Sequence, residues 1–304
     1  MSTEELIVVT CAAGRQNSFL LPLLASQPNY KLRLVVHSDS SRAKLCSQYP
    51  QAEVVVADLE DPSAARTIVH NATILYHVGP PFHPHETQIG YHAIDAAIAE
   101  TARPGSRFKH FIYSSVLNTQ VRKLLNHDCK RYVEEYLIES GLNYTILQPT
   151  HFMDNLPLQL MVEKGVYPAP YDPEVKFSFL ALRDLAEVAA RVVREGERHY
   201  GAQYPLCSTG PVSYRERIEL FDTLYEKQTR IVSVPYGEAC QTFSKRLFGE
   251  GVDQRRLDGV QRLLLYYDNY GLKGNTTVCE WLLGRKPTSL EEWYKLEMEK
   301  LSSK

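Results

Sequence analysis

The chain has 304 residues, 44% of them hydrophobic, and a formal net charge of -2. This size suits one large domain, or one domain with a smaller lobe. The balanced charge and the lack of a long basic block argue against nucleic acid as a ligand. No apolar run approaches the ~18 residues of a membrane span, and no basic region precedes the first apolar stretch. We therefore expect a cytoplasmic protein with no membrane partner.

Six cysteines are scattered along the chain without a C-x-x-C pair. This usage predicts reduced thiols rather than a disulfide framework or a zinc site. His83 and His85 have the spacing of metal ligands, but no cluster of cysteines or carboxylates completes a ligand set. The sequence therefore predicts no metal site.

Strand and helix signals alternate over the first 150 residues. Predicted strands cover residues 6–10, 32–36, 53–57, 73–78, 108–113 and 144–147, and the later ones are separated by helices near 89–102 and 129–140. Such alternation predicts an α/β fold with a parallel sheet and right-handed crossovers. We place this domain at residues 1–152, with a smaller, interleaved α/β lobe at residues 153–304 for a substrate or partner.

The first strand leads into a tight turn that could bind a dinucleotide. In a Rossmann-like doubly wound sheet, the amides of this turn and the following helix N-terminus face the pyrophosphate. Of the pattern G-x-x-G-x-x-G only Gly14 remains, because Cys11 and Asn17 occupy the outer positions. Cys11 is either a thiol whose pKa the helix N-terminus lowers, able to sense redox state, or a small residue tolerated beside the pyrophosphate. The predicted cofactor contacts here are Thr10, Ala12, Gly14, Arg15, Gln16 and Asn17.

Further cofactor contacts are expected where other strands end, since ligands bind beyond the carboxyl ends of parallel strands. An NAD site usually has an acidic residue after the second strand, but this chain has His37, then Ser38, with Arg42 close behind. Together with Arg15, these residues favour the 2′-phosphate of NADP, with NAD as the alternative. The remaining candidate contacts are Asp58, Leu59, Val78, Gly79, Pro80, Pro149, Thr150 and Phe152.

Several motifs resemble the NmrA-like family of atypical short-chain dehydrogenases, in particular its fungal branch. Residues 12–16 are similar to that family's N-A-T-G-R-Q version of the glycine motif, and residues 36–38 are similar to its fungal members. Residues 113–115 and Lys130 fall where family members carry equivalent residues. The resemblance covers most of the chain. It implies the fold more firmly than the activity, because the family contains both reductases and catalytically silent regulators.

The resemblance implies Lys130 as a catalytic group, with Ser114 or Ser115 beside it. Active short-chain dehydrogenases carry a tyrosine four residues before the lysine, and its phenol exchanges a proton with the reacting oxygen. This chain has Asn126 there, which has no titratable proton. Either Lys130 is itself the acid or base, as in isoflavone-reductase-like enzymes, or the substrate accepts hydride without a simultaneous proton. The alternative to a catalytic role is that Lys130 is a structural or ribose-binding lysine.

Two classes of function follow from these observations. The first is an NADPH-dependent reductase of a small, apolar compound of the secondary-metabolite type. The second is an NAD(P) redox sensor that regulates a protein partner, as the family's namesake does, and that would also act in the nucleus. A third reading is a non-redox cyclase or isomerase with a nucleotide as scaffold. Aromatic residues of the second lobe are either core or pocket, namely Tyr167, Tyr171, Phe177 and Phe179.

Overall fold

The computed structural model of the protein describes residues 4–303. Its first half alternates strands with helices, in the order β1 (Glu5–Val9), α1 (Asn17–Ala25), β2 (Tyr30–Val36), α2 (Asp39–Gln48), β3 (Glu53–Val56), α3 (Pro62–Val69), β4 (Ile74–Val78), α4 (Glu86–Ala102), β5 (His110–Ser114), α5 (Leu125–Glu139) and β6 (Tyr144–Pro149).

The second half has shorter strands and, at its end, a run of helices. The order is β7 (His151–Phe152), α6 (Leu158–Lys164), β8 (Val166–Ala169), β9 (Lys176–Phe177), β10 (Phe179–Leu180), α7 (Leu182–Glu195), β11 (Ala202–Leu206), β12 (Val212–Ser213), α8 (Tyr214–Tyr225), β13 (Arg230–Ser233), α9 (Tyr236–Phe248), α10 (Gln254–Tyr270), α11 (Thr277–Leu283) and α12 (Leu290–Ser302). Two short 3-10 helices occupy Met153–Asn155 and Gly196–His199. None of the described helices is both long and apolar enough to cross a membrane.

The central sheet has the strand order β11-β6-β5-β4-β1-β2-β3. The strands from β6 to β3 pair in parallel, so that Ile7 of β1 lies opposite Leu32 of β2 on one side and Ile74 of β4 on the other. The strand order reverses at β1, which makes the edge between β1 and β4 the switch point where such sheets bind ligands. This topology confirms the predicted Rossmann-like doubly wound sheet.

The central strands are buried along most of their length, which explains why their sequences are continuous apolar runs rather than alternating ones. Ile7, Val8 and Val9 are fully buried, as is every residue of β4. Both faces of such strands are covered by helices. The helices start earlier than the apolar pattern suggested: α4 begins at Glu86 and α5 at Leu125. Ser213 and Glu216 have the spacing of a capping box and form one at the start of α8.

The chain divides into two compact units that interleave along the sequence. Unit 1 comprises residues 4–120, 127–148 and 185–204, and unit 2 comprises residues 121–126, 149–184 and 205–303. The domain boundary after residue 152 stays a prediction of the sequence.

Unit 2 contains a cluster of aromatic side chains. Phe177 and Phe179 are fully buried, and the ring of Phe177 lies 5.3 Å from that of Tyr267 and 5.7 Å from that of Tyr214. Tyr167 is also buried and stacks on Tyr214 at 5.4 Å. Of the four aromatic residues for which the sequence allowed either core or pocket, Tyr167, Phe177 and Phe179 form core, and Tyr171 is partly exposed.

Candidate functional site

The loop between β1 and α1 is closed by a side chain at the position of the third glycine. The buried amide nitrogen of Asn17 donates to the carbonyl oxygens of Thr10 and Cys11, both at 3.0 Å. Gly14 makes the tight turn, since its N–H donates to the carbonyl oxygen of Cys11 at 2.8 Å. A Cβ at position 14 would lie 3.0 Å from that same oxygen, so the turn needs a glycine.

Cys11 is strained and its thiol does not have the predicted character. Its φ is 47°, in the left-handed region that favours glycine, which is the residue of the family pattern at this position. The pKa of the thiol is raised to about 11, first by burial and then by the Glu86 carboxylate, while the Lys130 charge opposes the shift. The predicted lowering by the helix N-terminus was wrong, because α1 begins only at Asn17. A thiol held in its neutral form is poorly suited to redox sensing.

The two serines at the end of β5 are buried. The hydroxyl of Ser114 donates to Gln16 Oε1 at 2.9 Å and thereby ties β5 to the loop after β1. Ser115 is 5% exposed, and its backbone N–H donates to the carbonyl oxygen of Leu147 at 2.8 Å. The Ser114–Gln16 bond brings one predicted catalytic residue and one predicted cofactor residue together.

Lys130 forms a buried ion pair that sequence reasoning missed. Its ammonium contacts Oε1 of Glu86, and the two side chains are 12% and 1% exposed. The second carboxylate oxygen of Glu86 accepts the N–H of Phe82 at 3.1 Å. A Cβ on Gly79 would lie 3.4 Å from Glu86 Oε1, so the pair lies at the end of β4. Acidic residues are common in a first helical turn, where they complement the helix dipole, so position 86 carried no functional signal.

Thr10 and His77, at the ends of β1 and β4, are joined by a hydrogen bond, and His77 is affected by the charge of Lys130. Thr10 Oγ1 lies 3.0 Å from His77 Nδ1 and also accepts the N–H of Val78 at 2.8 Å. Burial lowers the pKa of His77 to about 3, and the Lys130 charge contributes to this shift. His77 is therefore neutral at physiological pH. The positive charge that acts on His77 is that of Lys130, which pairs with Glu86.

The residues predicted to choose between NADP and NAD lie on the surface of unit 1. Arg15, His37 and Arg42 are exposed. Ser38 begins α2, where its hydroxyl oxygen accepts the N–H of Ser41 at 3.3 Å. Asp58 is exposed and accepts the N–H of Glu60 at 2.9 Å. Other candidates are partly or fully buried at the strand ends, namely Ala12, Leu59, Val78, Gly79 and Pro80.

The three candidates at the end of β6 and directly after it belong to unit 2. Thr150 is 4% exposed, and its hydroxyl donates to the carbonyl oxygen of Ser178 at 3.1 Å. Its N–H donates to the carbonyl oxygen of Leu206 at 3.1 Å. Pro149 is buried and Phe152 is partly exposed. A cofactor contact by these three residues stays a prediction.

The sheet order and the strand-end loops together define a Rossmann-like α/β protein. The loop after β1 lies at the switch point of the sheet, where folds of this kind bind the pyrophosphate of a dinucleotide. Over residues 3–297 the sequence matches the model of the NmrA-like family. The chain belongs to the NmrA-like family.

Comparisons with individual proteins give both enzymes and a regulator. The chain is 25% identical over 203 residues to an NAD(P)H azoreductase from Xenophilus azovorans, covering 64% of this chain and 67% of that protein. An NADPH-dependent quinone oxidoreductase from Escherichia coli, solved with NADPH, aligns with a TM-score of 0.75 and 21% identity over 96% of this chain and 99% of that one. The negative transcriptional regulator NmrA aligns with a TM-score of 0.75 and 16% identity over 99% and 98%. These structural likenesses show the fold.

Proposed function

We propose that the protein is an NADPH-dependent reductase of a small, flat, apolar organic molecule. The observation that carries this proposal is the Lys130–Glu86 pair, which lies beside Cys11 and Gly79 in the unit that also contains the loop after β1. A bound nicotinamide dinucleotide would supply the hydride. The chain itself would have to bind the nucleotide and provide a proton, or a hydrogen bond, at the reduced atom.

Each group of residues has a role in this proposal. The loop of residues 10–17 binds the pyrophosphate through backbone N–H groups, while Arg15, His37 and Arg42 favour the 2′-phosphate. After its contact with Glu86, the Lys130 ammonium retains two N–H donors for a ribose hydroxyl or a substrate oxygen or nitrogen. Glu86 holds the ammonium in place, and Ser114 fixes the loop through Gln16. Asn126 leaves proton transfer to Lys130 rather than to a tyrosine.

The relatives indicate the kind of substrate. One is named for azo reduction and another for quinone reduction, and quinones and azo dyes are flat and largely apolar. Reduction of either adds hydride to an electron-poor double-bonded system, and a proton then completes the product. The resemblance of residues 36–38 to fungal members extends the proposal to a secondary-metabolite substrate in the cytoplasm.

The proposal is tested by binding and then by turnover. Titration calorimetry with NADPH, NADP⁺, NADH and NAD⁺ should give measurable affinity, tightest for the phosphorylated pair. Oxidation of NADPH should then depend on an added quinone or azo dye, and Lys130→Met should abolish most of that rate. If none of the four nucleotides binds below millimolar concentration, the proposal is wrong.

A regulator that senses NAD(P) is the second candidate, favoured by the departures from the enzyme pattern. Asn126 replaces the tyrosine, and Cys11 and Asn17 replace two glycines. In this case the protein would bind nucleotide without oxidising it in the presence of any acceptor. Lys130→Met would then change nucleotide affinity modestly and leave a protein partner bound, whereas the reductase proposal requires loss of turnover.

A further inference from the structure

A cluster of two histidines and one carboxylate lies on the loops that follow β3 and β4. Nε2 of His83 is 3.3 Å from Glu60 Oε1, and Nδ1 of His85 is 2.5 Å from Glu60 Oε2. One donor atom from each of the three residues lies within 4.8 Å of the others. Glu60 is 25 residues before His85 and reaches it because α3 and α4, which follow these loops, pack against each other. The third ligand that the sequence around His83 did not offer is therefore present.

We propose that Glu60, His83 and His85 bind a divalent transition metal of the Zn²⁺ type. Two imidazoles and one carboxylate form a donor set that suits zinc and its neighbours, whereas Mg²⁺ and Ca²⁺ prefer oxygen ligands. With metal–ligand bonds of about 2.0–2.1 Å, tetrahedral zinc needs donors about 3.3 Å apart. Side-chain rotation can bring the donors this close, since the three side chains are 39%, 23% and 54% exposed. Water would take the fourth position.

Protons hold the cluster together without a metal. The His85 backbone N–H donates to Nδ1 of His83 at 3.2 Å, so His83 carries its ring proton on Nε2 and directs it to Glu60. A metal would replace that proton and the one between His85 and Glu60. His83 would then take its proton on Nδ1 and release the His85 N–H. Metal binding would thus move the ring protons to the nitrogens that face away from the metal, and it would join the two loops more firmly than they are now joined.

The site differs from the proposed nucleotide site but borders it. Glu60 directly follows Asp58 and Leu59, and His83 lies three residues after Pro80. A metal here would fix the loops that carry these candidate contacts. It would take no part in hydride transfer.

Titration calorimetry of the full-length, metal-free protein with Zn²⁺ tests the proposal. The parent for all variants is Cys46→Ser, which removes an exposed thiol that could bind zinc. We expect one Zn²⁺ per chain, with at least about tenfold weaker binding in Glu60→Gln, His83→Asn and His85→Asn, as expected for the loss of one ligand of three. The matched control is His70→Asn, because exposed His70 lies 3.6 Å from Glu100 but has no third donor among residues 4–303. It should bind Zn²⁺ like the parent.

A second measurement separates a built site from loose surface binding. Zn²⁺ should slow amide hydrogen exchange in both loops, residues 58–61 and 80–86, in the parent and in His70→Asn but not in His85→Asn. The proposal is overturned if the parent binds Zn²⁺ no more tightly than His85→Asn, or if His70→Asn weakens binding equally. Neither measurement depends on NADPH, so the result stands apart from the proposed reductase activity.

Discussion

Unit 1 and unit 2 each bury a positive charge, and they stabilise it differently. In unit 1 the Lys130 ammonium pairs with the Glu86 carboxylate, and 12% of the lysine side chain stays exposed. In unit 2 the guanidinium of Arg217 is fully buried, 4.6 Å from the ring centre of Phe179 and 4.9 Å from that of Trp293. One of its nitrogens donates to the carbonyl oxygen of Met153 at 2.7 Å, and the other two have no hydrogen-bond partner in the described chain.

This difference makes Lys130 the better candidate for chemistry, whereas the surroundings of Arg217 are those of a packing residue. A buried cation on aromatic faces is stabilised by the ring quadrupoles without any carboxylate. With no exposed surface, Arg217 cannot meet a ligand. Lys130 is partly exposed, holds unused donors and lies at the edge of the sheet where Rossmann-like folds bind ligands. Burial alone does not distinguish the two cations, whereas their partners and their access to solvent do.

The largest expected difference between the units is their response to acid. In unit 1, burial lowers the pKa of His77 and His110 to about 3 and that of His127 to about 4, while unit 2 has His151, also lowered to about 3. Unfolded histidines titrate near 6.5, so below that pH the unfolded chain binds more protons and stability falls. Each such histidine should cost about 2 kcal/mol between pH 7 and pH 5, or about 6 kcal/mol for His77, His110 and His127 together, and His199 of unit 1, whose pKa burial also lowers, adds to this loss.

Hydrogen exchange at pH 7, 6 and 5, corrected for the intrinsic rate, measures this response. Protection should fall first in β4, β5 and α5 of unit 1 and later around His151. Replacing exposed His37 with Asn is the control and should leave the acid response unchanged. Equal loss of protection in both units would contradict the prediction.

Breaking the unit 1 pair should have the next largest effect. Lys130→Met leaves the 1% exposed Glu86 carboxylate without its partner, which should cost about 3–5 kcal/mol of stability. If the protein is a reductase, turnover should also fall by about a hundredfold or more, the scale of losing a positioned proton donor. Chemical denaturation and steady-state NADPH oxidation measure the two effects.

The double variant Glu86→Gln/Lys130→Met separates the two roles of Lys130. It removes the bare carboxylate, so stability should recover by about 2 kcal/mol or more relative to Lys130→Met. Turnover should not recover, because the proton donor is still missing. Full turnover in Lys130→Met would mean that the proton comes from another group.

The exposed cation Arg15 should show a smaller and more selective effect. Arg15→Ala should weaken NADPH binding more than NADH binding, by about 1.5–3 kcal/mol or roughly ten- to a hundredfold, if the guanidinium contacts the 2′-phosphate. Arg107→Ala is the matched control, because Arg107 is also exposed in unit 1 but precedes β5, at the amino ends of the strands. Equal weakening of both nucleotides would assign Arg15 to the pyrophosphate.

Sequence patterns predicted the fold well and the candidate site only in part. The strand positions and the parallel sheet follow from local apolar runs and turn residues, and the structure confirms them. The partners of Lys130 and His85 did not follow, since Glu86 lies 44 positions from Lys130 and Glu60 lies 25 positions from His85. An isolated glutamate in a first helical turn or a loop is common, so only the folded chain distinguishes these two.

Two further features, one of the backbone and one of side-chain burial, could not be predicted from the residue types. The pattern placed Cys11 at a helix start, whereas the turn places it at φ 47° and the helix begins six residues later. The aromatic residue types between positions 167 and 179 are equally compatible with a pocket and with a core. The burial of Phe177 against Tyr214 and Tyr267 identifies it as core.

The smallest expected effect completes the comparison of the two cations. Arg217→Met keeps a long side chain between Phe179 and Trp293. The guanidinium donates to a backbone carbonyl oxygen, so its removal does not leave a buried carboxylate without a partner. The variant loses one hydrogen bond and the contacts between cation and rings, but it also relieves two unpartnered nitrogens, which are costly to bury. The net loss should be about 1–2 kcal/mol by chemical denaturation, below that of Lys130→Met, with NADPH affinity unchanged. A loss of stability as large as that of Lys130→Met would show that Arg217 neutralises a buried negative charge. Both units would then stabilise their buried cation by a charge of opposite sign.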